Sequence, residues 1–246
     1  MWKVLAVLLA LAAAGPAWAD TLLTYDVTAP QAVGPNGRAM GGHYQRHVLI
    51  GPGRVRMEDD TSIRILREDK HEIYDVKQGG PNPFYCRHGW PLDLKSELPA
   101  ELYQNLQSHP HDQGPAAVQL VALGERKVGQ WLATGTRIEV SDAPDSWMKT
   151  SVWTTAQLPQ VGYALVSELN VALAPLASSR PVIARAQEEA KLPGVPVRIE
   201  IYAKNDMSGE THTQMQLVAV EDHPSVEADY LPPKGLKRAD YFLCFR

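Results

Sequence analysis

Apolar and polar residues alternate along most of this chain. The clearest stretch is 195–203, where Val195, Val197, Ile199 and Ile201 share one parity while Arg198, Glu200 and Tyr202 share the other. A period of two is that of a strand with one buried face. After a polar turn over 204–210 that contains Gly209, alternation resumes over 211–221, with Met215, Leu217 and Ala219 on the apolar side. The two segments read as a hairpin. Towards the N-terminus, short strands are predicted over 22–28, 43–50, 54–58, 63–67 and 72–76. Gly51-Pro52-Gly53 and Asp59-Asp60-Thr61 supply turn chemistry between them. Further strands are predicted over 117–123, 131–140 and 147–155, the last two joined by a turn at Asp142-Ala143-Pro144-Asp145.

The period changes over 160–176. Val161, Leu165, Leu169, Leu173 and Leu176 recur at helical spacing, which predicts an amphipathic helix that Pro175 ends or kinks. A second helix is expected over 181–191, with Pro near its first turn and Pro193-Gly194 beyond its end. A weaker helical pattern covers 94–107. The expected fold class is therefore α+β and β-rich, a curved antiparallel sheet with two or three helices covering one face. A sheet with an apolar face needs such a cover.

Residues 1–19 stand apart from this pattern. Lys3 precedes an unbroken apolar run from Val4 to Ala14, and Gly15-Pro16 and Ala17-Trp18-Ala19 follow. Those are the parts of a cleavable signal peptide, with cleavage expected between Ala19 and Asp20. The run is shorter than the roughly 20 residues that a membrane span requires. No Cys follows it to carry a lipid anchor. The expectation is one β-rich domain over 20–246, periplasmic or secreted, without a transmembrane anchor and monomeric. Export also bears on Cys86 and Cys244, the two cysteines of the chain. In an oxidising compartment an even count favours a disulfide.

Composition excludes more than it nominates. The formal net charge of −4 gives no basic surface for nucleic acid. There is no GxSxG elbow, P-loop or GxGxxG, so no catalytic residue and no cofactor is expected. His109-Pro110-His111-Asp112 has metal-ligand chemistry but no further ligand can be assigned. His43 and His47 lie about 13 Å apart along one strand, and His71-Glu72 lacks a second histidine; no metal site is expected. Trp131, Trp147 and Trp153 fall on neighbouring strands, and Trp147 and Trp153 share parity. Such side chains fill a core, or else line an apolar pocket. With Met148, Leu165 and Leu169 they form the candidate pocket set.

Several segments together resemble a secreted bacterial family. They are Val55-Arg56-Met57, Ile73-Tyr74-Asp75, Gly124-Glu125-Arg126-Lys127-Val128-Gly129, the segment from Lys191-Leu192-Pro193-Gly194-Val195-Pro196 to Arg198, and Tyr230-Leu231-Pro232-Pro233-Lys234-Gly235-Leu236. The chain resembles the family labelled domain of unknown function 4412, itself similar to the periplasmic lipoprotein carriers of the LolA/LolB type. The resemblance implies a half-barrel plugged by helices, with room between them for a lipid or another hydrophobic small molecule. Two other readings stand beside the carrier: an envelope scaffold with a packed core and a protein partner, and a hydrolase or metal-binding protein.

Overall fold

The computed structural model describes residues 19–33, 39–78, 82–97, 100, 117–143, 146–158, 161–173, 180–205, 209–239 and 244. Residues 1–18 of the leader, His109, His111 and Asp112 lie outside the described residues.

Twelve strands form one open sheet. They are β1 (Asp20–Val33), β2 (Ala39–Gly51), β3 (Arg54–Glu58), β4 (Ser62–Arg67), β5 (Glu72–Lys77), β6 (Phe84–Gly89), β7 (Ala117–Val128), β8 (Trp131–Ala143), β9 (Ser146–Thr155), β10 (Val195–Asn205), β11 (Gly209–His223) and β12 (Lys237–Arg238). Their order is β12-β6-β5-β4-β3-β2-β1-β11-β10-β9-β8-β7. Every pairing is antiparallel except β12 on β6. Two meanders thus meet where β1 pairs with β11. Among the described residues, helices α1 (Leu94–Glu97), α2 (Ala164–Leu173) and α3 (Arg180–Glu189) accompany the sheet. The expected class, a curved antiparallel sheet with helices on its concave face, is what the chain forms.

Alternation sets the burial. Leu23, Tyr25 and Val27 of β1 point into the concave side at 1 % exposure or less. Their neighbours Val48, Ile50, Val55, Met57 and Leu66 continue that core, which Val166, Leu169 and Leu173 of α2 close from above. At the far end Ile138, Val140 and Val152 pack with Ala184 and Leu192 from the α3 segment.

Bulges interrupt the expected faces. Thr24 pairs with Ala219 but Tyr25 with Leu217, so Val218 is the extra residue. Met215 and Leu217 keep the inner side, Ala219 is turned to the outer one, and Val218 is 44 % exposed. A second irregularity between Pro196 and Arg198 lets Val195 and Val197 both be buried before Ile199 and Ile201 resume the alternation.

The convex side of the first meander is also covered, because Leu49, Ile63, Ile65, Tyr74 and Val76 present a second apolar face there. The segment 223–239 lies over it, with Tyr230 and Leu236 in the packing. Charges fasten this strap. The Glu227 carboxylate takes Arg67 at 2.9 Å, Lys70 at 2.7 Å and Arg54 at 3.2 Å. Arg67, 1 % exposed, is also held by Asp69 at 2.7 Å. Tyr230 donates to the buried Asp20 carboxylate at 2.8 Å, and Arg54 sits 4.4 Å over its ring. Beyond the strap Cys244 is bonded to Cys86 of β6, with Cα atoms 5.6 Å apart.

Candidate ligand-binding site

Between the concave face and helices α2 and α3 lies a cavity of about 330 Å³. Small-molecule sites span roughly 300–1,000 Å³, so it can take a small ligand or part of a larger one. The sheet supplies its floor through inward residues of seven strands. Tyr25 and Val27 come from β1, Tyr44, Arg46 and Val48 from β2, and Met57 from β3. Ser62 and Arg64 come from β4, Val152 and Thr154 from β9, Ile199 and Ile201 from β10, and Thr213 and Met215 from β11. The roof is Ser167, Asn170 and Leu173 of α2 with Val182, Arg185, Ala186 and Glu189 of α3. Leu192, Gly194 and Pro196 close the end where α3 turns into β10.

The lining is mixed, and its polar groups are positioned. Arg46 reaches Asp59 at 3.2 Å. Asp59 in turn accepts the Thr61 and Ser62 amides at 3.1 and 3.0 Å. Burial works against the Asp59 charge, but Arg46 and those donors outweigh it and hold its carboxyl below the usual range. Arg64 lies 3.9 Å from Asp75, which Lys77 also approaches at 2.8 Å. On the floor of the cavity the Tyr25 hydroxyl donates to the Pro196 carbonyl at 3.0 Å, and Tyr163 is electrostatically coupled to it. Burial raises both phenols, Tyr163 to about 12. At the α3 end Arg185 Nε faces Glu189 Oε1 at 3.5 Å. Burial lifts the Glu189 carboxyl above its ordinary value, and the Arg185 charge only partly offsets this.

The six residues of the candidate pocket set sit elsewhere. Trp131, Trp153 and Leu169 are in the main core, and Leu165 packs against it. Trp153 lies on the face opposite Val152 and Thr154, with the Arg126 guanidinium 3.7 Å over its ring. Trp147 is half-buried beneath Lys149, 5.5 Å from its ring. Met148 is half-buried between Val140 and Ala203. The structure therefore brings four of the six together as core, while other side chains line the cavity.

Those lining residues were masked by their polarity. Tyr163, Ser167 and Asn170 follow one another at spacings of four and three, a stripe beside the buried Val166, Leu169 and Leu173. Val182, Arg185, Ala186 and Glu189 repeat the arrangement on α3. Polar residues at helical spacing ordinarily face water; here they roof a cavity. A signal was available in Arg185 and Glu189, an oppositely charged pair at i,i+4 on a helix expected to cover the sheet.

No family model matches the chain, and no curated protein matches it. Among solved structures it is similar to LprF from Mycobacterium bovis, at 10% identity over 84% of this chain and 87% of that one, with a TM-score of 0.29. It is also similar to the LolA superfamily protein NE2245 from Nitrosomonas europaea, at 8% identity over 89% of this chain and 92% of that one, with a TM-score of 0.27.

Proposed function

We propose that this protein is a non-catalytic binding or carrier protein that takes up a small hydrophobic or amphiphilic molecule in the cell envelope. The observation that carries this reading is the cavity between the concave sheet and α2–α3. An ordinary core closes at near-crystalline density, whereas here Val27, Val152, Ile199, Ile201 and Met215 face open space. The leader-like 1–19 and the Cys86–Cys244 bond fit an exported protein working in an oxidising compartment.

The test uses the exported, delipidated protein and the uncharged fluorescent probe N-phenyl-1-naphthylamine. The protein should take up the probe with enhanced emission. Ala186 is 4 % exposed and roofs the cavity, so Ala186→Phe should fill the space and abolish uptake. No uptake by the wild type, or equal uptake by the variant, would sink the reading. Cell fractionation should recover the chain, beginning at Asp20 and without a covalently attached lipid, from the periplasm.

A further inference from the structure

Several polar groups of the cavity are already engaged, Arg46 with Asp59 and Tyr25 with the Pro196 carbonyl. The α3 end differs. Arg185 Nε and Glu189 Oε1 are both buried, and neither has a hydrogen-bond partner among the described residues. They form an ion pair at 3.5 Å, yet no hydrogen bond joins the two atoms. A donor and an acceptor thus stand side by side on the cavity wall, both unmet. Buried polar atoms without partners are costly and rare. Next to them the wall turns apolar, through Val152, Val182, Leu192, Ile199 and Ile201.

We infer that Arg185 and Glu189 are the head-group site of the cavity, and that they select an uncharged group that both donates and accepts, an alcohol or an amide on an apolar tail. This rests on the ligand-binding reading above and names its ligand class. Geometry allows it: one oxygen can stand about 2.9 Å from both atoms, the usual hydrogen-bond length. Charge argues the same way. An anionic head would be drawn to Arg185 and repelled by Glu189 within one helical turn, and a cationic head would meet the reverse. A neutral head that accepts from Arg185 and donates to Glu189 satisfies both and leaves no charge to desolvate.

The experiment is competition against N-phenyl-1-naphthylamine at neutral pH with three compounds of equal chain length: decanol, decanamide and sodium decanoate. Decanol and decanamide should each displace the probe from the wild type at about tenfold lower concentration than decanoate, the ratio one good hydrogen bond supplies. In Glu189→Leu and in Arg185→Met that preference should shrink towards unity. Three equal curves, or decanoate ahead, overturn the assignment; a lead for decanoate would place the head at Arg46 and Arg64 instead. A preference unchanged in both variants overturns it too. Should a variant fail to fold, the wild-type ranking decides alone. Failure of the wild type to take up the probe is a separate result, and removes the binding reading itself.

Discussion

Tyr230 holds the strap to the start of β1 through a single proton. Its hydroxyl donates to Asp20 Oδ2, and the Asp20 side chain is fully buried. Tyr230→Phe leaves a buried carboxylate short of one donor, with Arg54 at 3.5 Å as its remaining partner. Leaving such a group unmet costs about 1–3 kcal/mol, and urea unfolding should show a loss of that size with an unchanged slope. Glu189 makes the opposite case. Its carboxyl is raised in the folded protein, so the native state binds a proton more readily than the unfolded chain. The contribution of Glu189 to stability is therefore fully present below the ordinary glutamate value of 4.5 and is lost as pH rises through the folded value. Glu189→Gln should melt above the wild type at neutral pH and converge with it below that value. A variant that melts lower at neutral pH would show that Arg185 outweighs burial.

At the level of elements, Gly194 joins α3 to β10 with a φ of +83°, and an added Cβ would stand 2.4 Å from the Thr155 carbonyl oxygen. Gly194→Ala must therefore move one strand or the other. We expect a loss of about 1–3 kcal/mol, and with it a weakened preference for decanol, because α3 carries both head-group residues. Strands were the legible part of this chain. The inward parity of 54–58 can be read directly, because its buried residues alternate with half-buried ones. β6 escaped notice. It alternates Cys86 and His88 with exposed Arg87 and Gly89 over six residues, too short a pattern to stand out. The cavity was the illegible part. Bulges at Val218 and around Val197 change which side a residue serves, and a bulge leaves no mark in apolar periodicity. The tryptophans misled for a related reason: size and apolarity suit a core and a pocket equally, and only register separates them.

Across the whole molecule, ends are tied to the middle. The Cys86–Cys244 bond closes a loop of 158 residues. Chain-entropy reasoning assigns such a crosslink about 5 kcal/mol. Cys86→Ala should lower stability on that scale in denaturant, and dithiothreitol should do the same to the wild type but nothing further to the variant. A variant as stable as the wild type would mean that the strap's ion pairs alone keep the convex face covered.

The place of β1 between β2 and β11 has a consequence in time. A chain delivered N-terminus first presents β1 early and its neighbour β11 nearly last. β2 to β6 can assemble on one edge of β1, but the other edge waits, with Leu23, Tyr25 and Val27 uncovered, until 209–223 arrives. Pairings so distant in sequence form slowly, and waiting apolar strands aggregate. One edge of β1 must stay unpaired through almost all of the chain's delivery, so completion of the sheet waits on β11.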